Sequence, residues 1–496
     1  MRGRTSLSHP LQIAEVRPAF GETVGGKIGL TFCPGKKQAH AVSGVWDRDL
    51  AIDLDVVSAW GAAAVVTLVE PHELESLQVA QLGDEVRARH MAWYHLPIRD
   101  VDVPHAAFEE AWARAGEHLR SLVRHGFGVL VHCKGGLGRA GTIAARLLVE
   151  LGMDNATAIA QIRMVRPGAI ETTAQLAHVR SCTPIEEPLP DTSLEAVRDR
   201  AVGALLGLAV GDALGTTGEF QARDSYPQIT DLVGGGPFNL PVGAWTDDTA
   251  MALALAASLH EQGGLDEGDL MARFLAWRER GEYSCTGTCF DIGITVSQAL
   301  SRFKRTGDPI AGATDPMSAG NGSLMRLSPV AIRYWQDDAT RRDVAARQSR
   351  TTHGAAEAVD ACVVFADLLA EAIAGKPRHE VMRLRQEPFA GRIPEVLAGS
   401  WRGRNRKTIR SSGYVIDSLE AALWCVARTG SFAEALLLAA NLGVDADTVA
   451  AITGQLAGAL YGKEGIPEHW LNRLAWSHQI ETMALELTTP AGWYPR

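Results

Sequence analysis

The sequence predicts a chain of two domains: an N-terminal α/β domain with a parallel sheet flanked by helices, and a C-terminal all-α domain. Three observations predict it. From residue 27 to about residue 180, short apolar runs alternate with amphipathic ones, the pattern of strands crossed by helices. Beyond residue 194 the apolar spacing lengthens to helical periods rich in Ala and Leu, with few β-branched runs. Between the two, residues 183–193 carry three prolines, acids and no periodicity, which makes a semi-rigid linker. The expected limits are residues 1–183, a linker at 184–193, and residues 194–496; a chain of 496 residues is too long for one ordinary core.

In the first domain the apolar runs fall at 27–32, 50–60, 64–68, 91–96, 108–123, 128–132 and 141–151. The run at 128–132 is the expected central strand, and a helix is expected from Gly141. The join between them reads Cys133-Lys134-Gly135-Gly136-Leu137-Gly138-Arg139. Its glycines let successive N–H groups turn inward as an anion nest, reinforced by the positive end of the helix. The same field favours a thiolate at Cys133, a nucleophile, and Arg139 can hold two phosphoryl oxygens at once. His132 is expected to fix the geometry of Cys133 by a hydrogen bond. A general acid is still required, on a loop reaching over the nest. Asp100, in Pro97-Ile98-Arg99-Asp100, is the first candidate and Asp102 the second.

His132-Cys133-Lys134-Gly135-Gly136-Leu137-Gly138-Arg139 is similar to the signature of cysteine-dependent dual-specificity phosphatases. Gly29 to Gly35, Pro97-Ile98-Arg99-Asp100 and Arg166-Pro167-Gly168-Ala169-Ile170-Glu171-Thr172 resemble more narrowly its kinase-associated-phosphatase branch. The resemblance implies a phosphocysteine at Cys133, a phosphate cradle of Lys134, Gly135, Gly136, Leu137, Gly138 and Arg139, and leaving-group protonation by Asp100. One departure stands out: where the family has Ser or Thr after the Arg, this chain has Ala140, so slower phosphoenzyme breakdown is expected unless Thr142 substitutes.

In the second domain helical periods cover 194–213, 248–262, 265–280, 342–374, 416–427, 431–441 and 447–461. Two acidic stretches sit at helix beginnings, Thr246-Asp247-Asp248-Thr249 and Asp445-Ala446-Asp447-Thr448. Four aspartates brought together cannot all stay ionised without positive charge among them. The donors are all oxygens, which suits a hard ion such as Mg2+, with Mn2+ as a substitute, and argues against zinc. Two ions balance the charge best, above all if Glu219 joins. Cys285 and Cys289 lack a second Cys/His pair and are expected to be ordinary thiols.

These stretches, with residues 203–215, Glu219 and Gly320-Asn321-Gly322-Ser323-Leu324-Met325-Arg326, resemble the ADP-ribosylglycohydrolase family. The resemblance implies two Mg2+ ions held by Glu219, Thr246, Asp247, Asp248, Asp445, Asp447 and Thr448. It also implies proton handling by Glu219 or Asp291, and substrate binding by Gly320, Asn321, Gly322, Ser323 and His353. Tyr414 is either an adenine platform or a core aromatic.

Composition bounds the rest. With 46% hydrophobic and 21% charged residues the chain is of globular type, and its net charge of −10 gives no footprint for non-specific nucleic-acid binding. The basic run at 402–410 is expected to be a solvated loop. Seven scattered cysteines are no disulfide framework, and no signal peptide or long uncharged span is read, so a cytoplasmic protein without a membrane partner is expected. The expected activity is a bifunctional hydrolase. Its substrates would be an ADP-ribosylated protein, nucleic acid or small molecule, and a phosphorylated protein or metabolite. The alternative is that one half is a non-catalytic reader of ADP-ribose or of a phospho group.

Overall fold

The computed structural model describes residues 3–20, 23–41 and 44–488. The outer limits of the expected domains, residues 1 and 496, lie outside that set. Two compact units are present. One takes the described residues up to Pro188 together with Arg402–Arg406; the other runs from Leu189 to Trp401 and from Lys407 onward.

The first unit is built on a five-stranded sheet in the order Ala14–Val16, Lys27–Phe32, Gly128–Cys133, Ala62–Thr67, Ala92–His95. Four strands are parallel, and Ala14–Val16 joins the edge antiparallel, so the sheet is mixed rather than wholly parallel. The central strand Gly128–Cys133 is buried along its whole length, which its Val-Leu-Val run permits. Its register sets Phe32 beside Cys133 and Thr67 beside His132. Helices Leu50–Trp60, Ala106–Arg124 and Gly138–Glu150 pack on the strands. Residues 183–192 have no regular structure, yet Glu187 accepts from Arg120 at 2.7 and 2.8 Å and from Arg124 at 2.9 Å, so the first part of this stretch is pinned to a helix.

The second unit is helical, and its axis is the pairing of Leu194–Gly215 with Ala446–Tyr461. Glycines every four residues let these two backbones touch: a Cβ at Gly207 would lie 2.2 Å from the carbonyl oxygen of Gly454, and one at Gly211 2.2 Å from that of Ala450. Close approach places the C-terminal end of the first helix against the N-terminal end of the second, where the acids are. Gly207→Val is therefore expected to destabilise the unit by about 3 kcal/mol or more, because backbone rather than a side chain must yield; its thermal melt checks this. Leu194–Gly218 is the one described helical segment long and apolar enough to cross a membrane, and 94% of that window is buried. Packing accounts for its apolarity.

One expected helix is two. The run at 342–374 breaks into Asp338–Thr352 and Ala356–Ile373, because His353 is extended and the N–H of Gly354 bonds Ala313 instead of continuing the helix. Helices Ile294–Thr306 and Ser477–Thr488 were not anticipated.

Candidate functional sites

The strand Gly128–Cys133 ends where the helix Gly138–Glu150 begins, and the intervening loop curls around the Cys133 thiol. Gly136 makes the curl possible: its φ is +72°, and a Cβ there would stand 2.4 Å from the Thr31 backbone. Its N–H donates to Cys133 Sγ at 3.2 Å. The loop carbonyls are held by cations. Lys36 Nζ reaches Lys134 O at 3.2 Å, and Arg166 reaches Gly136 O at 3.0 Å and Gly135 O at 3.1 Å. Holding the carbonyls this way leaves the N–H groups for an anion, the requirement of a nest.

Arg139 is buried and donates to both oxygens of Glu73, at 2.6 and 3.0 Å, and to Ile98 O at 2.9 Å. Its Nη2 also lies 2.9 Å from Asp100 Oδ1. Burial works to raise the Glu73 carboxyl, but the Arg139 hydrogen bonds overcome it and the net shift is downward. Asp100 has 61% of its side chain exposed, so it is tethered to the arginine and open to solvent. Asp102 is not at the arginine; its Oδ1 caps its own loop at Val103 N, 2.8 Å. Glu73 was not anticipated, since no spacing in the sequence links it to Arg139. With the guanidinium free to swing, Glu73→Gln is expected to lower phosphatase kcat by about 10²-fold, measured with p-nitrophenyl phosphate.

Two expectations change. His132 does not position the thiol: its Nε2 bonds Thr67 Oγ1 at 2.8 Å, that hydroxyl accepts from Trp93 Nε1 at 2.9 Å, and Nδ1 has no hydrogen-bond partner. Burial pushes the imidazole down to about 3, so it is a neutral strand-to-strand tie. Thr142 does not substitute for a hydroxyl at 140. Its Oγ1 donates to Gly138 O at 2.8 Å, one turn back along its own helix, while Ala140 is fully buried.

In the second unit the pairing of long helices gathers the acids. Glu219, Asp445 and Asp447 offer oxygens within 4.8 Å of one another, as do Asp212, Asp248 and Asp447, so Asp447 belongs to both triads. Glu219 Oε2 accepts from the N–H of Ala446 at 2.9 Å and of Asp447 at 3.3 Å. The hydroxyls of Thr246 and Thr448 lie 3.5 Å from Asp447 Oδ2 and Asp248 Oδ2. Asp291 stands close enough to raise Asp247 and Glu219 electrostatically, and neither Asp247 nor Asp291 joins a triad.

Burial, reinforced by the surrounding carboxylates, raises Asp248 and Asp447 well above the usual range. Burial likewise takes Glu219 to about 7 and Asp291 to about 6. Asp248 Oδ1 is buried with no hydrogen-bond partner. An all-oxygen cluster holding an orphaned carboxylate oxygen, with no ion pair to its triad acids among the described residues, fits a divalent metal.

Asp212 was not anticipated as part of this centre. Its Oδ1 accepts from Thr246 N and Oγ1 at 2.9 and 2.8 Å, and its Oδ2 from Thr249 N and Oγ1 at 3.0 and 2.6 Å. Four bonds leave it little to offer a ligand, and it acts instead as the clamp that holds the start of helix Asp247–Glu261. An acid inside the apolar run 203–215 was the available signal, since a buried charge needs partners.

The 320–323 loop meets the cluster through Asn321, whose Nδ2 donates to Asp445 Oδ2 at 2.6 Å. Gly322 is pressed on His353; a Cβ there would lie 2.7 Å from the ring. His353 is buried, and burial pushes it down to about 3, so it is a neutral floor beneath the loop. Gly320 bridges Tyr414. Ser323 is fully buried with its hydroxyl 2.8 Å from Ser349 Oγ, so its side chain is spent inside the fold. Arg326, also fully buried, donates to Gln348 Oε1 and O at 3.0 Å and to Thr352 Oγ1 at 2.9 Å, tying the loop to the residues before His353. Tyr414 is half-buried, with its hydroxyl donating to Glu357 at 2.6 Å, and is therefore no core aromatic. Cys285 and Cys289 are free, half-buried thiols that burial raises to about 11.

Residues 193–495, more than half of the chain, match the ADP-ribosylglycohydrolase family model, and residues 47–183 match that of the Swiss Army Knife protein, DSP-PTPase phosphatase domain. ADP-ribosylarginine hydrolase Tri1 of Pseudomonas putida (strain GB-1) is 46% identical over 300 residues, covering 59% of this chain and 79% of its own. Among solved structures, the ADP-ribosylglycohydrolase-related protein complex is 42% identical with a TM-score of 0.54, covering 60% of this chain and 100% of that one. A kinase associated phosphatase is 25% identical with a TM-score of 0.31, covering 34% of this chain and 92% of that one.

Proposed function

We propose the function from one premise: the chain belongs to the ADP-ribosylglycohydrolase family, and a DSP-PTPase phosphatase domain precedes that part of it. It is a hydrolase with both activities. The second unit hydrolyses the bond between ADP-ribose and an acceptor, with two Mg2+ ions, or Mn2+ in their place, held by Glu219, Thr246, Asp247, Asp248, Asp445, Asp447 and Thr448. The observation that carries this reading is the convergence of buried carboxylate oxygens on Asp447, from Glu219 and Asp445 on one side and from Asp248, backed by the clamping Asp212, on the other. When bound, the ions supply Lewis acidity at the ribose. The chain supplies the rest. Asp212 fixes the first turn bearing Asp247 and Asp248, and Asn321 orients Asp445 while its loop receives the phosphates of ADP-ribose. Water oxygen bonds to the anomeric carbon as the bond to the acceptor breaks, and Glu219 or Asp291 takes the water's proton. The name of the Pseudomonas putida relative supports an arginine acceptor.

In the first unit Cys133 Sγ attacks phosphorus, Arg139 holds two phosphoryl oxygens, and Asp100 gives its proton to the leaving oxygen. Water then cleaves the S–P bond and restores the thiolate. With no hydroxyl at 140 and Thr142 committed elsewhere, this second step is slow and a phosphocysteine accumulates. All seven cysteines are free, which supports a cytoplasmic setting.

The test uses the full chain. With Mg2+ it should release free ADP-ribose from an ADP-ribosylated arginine peptide, and EDTA should stop this without affecting p-nitrophenyl phosphate turnover. Tight binding of either substrate with no product would favour the reader alternative for that half.

A further inference from the structure

Three phenylalanines form a ladder whose two ends adjoin, in the chain, two acids of the second unit's site. Phe220 directly follows Glu219, Phe290 directly precedes Asp291, and Phe238 links them: its ring lies 6.3 Å from Phe220, edge to face, and 5.3 Å from Phe290. Phe220 is 67% exposed although burial of a ring this size is favourable. Its backbone keeps it there. Phe220 and Val444 both adopt left-handed φ, 60° and 67°, conformations that bulky residues avoid. A mutual pairing holds them: Phe220 N donates to Val444 O at 2.8 Å, and Val444 N to Gln221 O at 2.7 Å. Each adjoins a candidate ligand in the chain, Glu219 or Asp445, so the backbone that carries the ring is fixed beside the ligand-bearing backbone.

Charge narrows what such a surface receives. Elsewhere in this unit some aromatic rings are covered by the chain's own guanidinium groups, as with Arg326 at 4.6 Å from Phe274 and Arg428 at 5.1 Å from Trp424. Among the described residues no cation of the chain stacks on Phe220, Phe238 or Phe290. Asp291, which directly follows Phe290 and lies outside the proposed metal ligand set, is an acid that repels an anionic acceptor and attracts a cationic one. A flat, delocalised, weakly hydrated cation suits both the ring faces and Asp291, whereas a serine hydroxyl gains nothing from either.

The geometry points to Phe220, backed by Phe238 and Phe290, as the platform that receives the guanidinium of an ADP-ribosylated arginine on the acceptor side of the scissile bond. This rests on the ADP-ribose hydrolysis proposed above and names what selects its acceptor.

Initial rates of the full chain with Mg2+, on an arginine-linked and a serine-linked ADP-ribosyl peptide, test it. Wild type should prefer the arginine linkage. Phe220→Ala should raise KM for the arginine peptide about 5- to 30-fold, with KM for the serine peptide and inhibition by free ADP-ribose unchanged. Phe220→Trp should keep the low KM, and Phe220→Leu, apolar but without a π face, should behave as Phe220→Ala. If Phe220→Ala fails to fold, the Trp and Leu variants carry the comparison. The inference is overturned by a Leu variant equal to wild type, by equal losses on both peptides and on ADP-ribose inhibition, or by a wild type without arginine preference. Release from neither peptide by wild type would instead remove the hydrolase reading beneath it.

Discussion

Replacing Asp248 by alanine should reduce Mg2+-dependent release of ADP-ribose by about 10³-fold or more while leaving phosphatase turnover at the wild-type level. The size follows from its place in the cluster. Asp248 is fully buried, shares a triad with Asp447, and has one oxygen with no hydrogen-bond partner and the other held only by long bonds from Thr246 and Thr448 at 3.4 and 3.5 Å, so burying it costs the fold more than those bonds return. A second consequence separates a metal ligand from a structural acid. Mg2+ at 100 times its dissociation constant should stabilise wild type by about 2.7 kcal/mol, seen as a rise in the melting temperature of the second unit. Asp248→Ala should lose that rise, yet in EDTA melt no lower than wild type, because what it removes is a buried carboxyl whose ionised form burial penalises and one of whose oxygens has no partner. A structural acid would show the opposite, a lower melt in EDTA and an intact response to Mg2+.

Cys133→Ser should abolish phosphomonoester hydrolysis, by about 10⁴-fold or more, with ADP-ribose release unchanged. A hydroxyl at this position has a far smaller ionised fraction than a thiol, and the loop around it is built to favour an anion. Its carbonyls are turned away by Lys36 and Arg166, and Arg139 is oriented by Glu73. Rapid-quench kinetics on wild type should show a burst of product followed by slow turnover, since Ala140 leaves the phosphocysteine without a hydroxyl to assist its breakdown. Ala140→Ser should shorten the slow phase. A Cys133→Ser variant with undiminished turnover would remove the assignment of the nucleophile.

How much of this was legible in the sequence depended on whether the controlling contact was local. The strand Lys27–Phe32 and the helix Leu50–Trp60 follow from apolar spacing within a single element and agree with it residue for residue. The strand Ala14–Val16 is three residues long, too short for any period, and its antiparallel pairing is set by Lys27–Phe32. The break at His353 spans fewer residues than one helical turn, so periodicity runs across it. The same division holds at the sites. Asp247, Asp248, Asp445 and Asp447 were visible because each pair sits together at a helix start. Asp212 and Glu73 were not, since their partners lie 34 to 66 residues away. His132 was misread for that reason too: adjacency to Cys133 suggested a partner, whereas the hydrogen bond goes across the sheet to Thr67.

The shared position of Asp447 gives the most direct measurement of the central claim. The whole 496-residue chain, stripped with EDTA, equilibrated with Mn2+ and desalted, should carry two ions per chain by elemental analysis. Asp447→Ala, which removes an oxygen donor from both triads, should carry none. A wild type that retains no metal, or an Asp447→Ala variant that keeps both ions, would contradict the account.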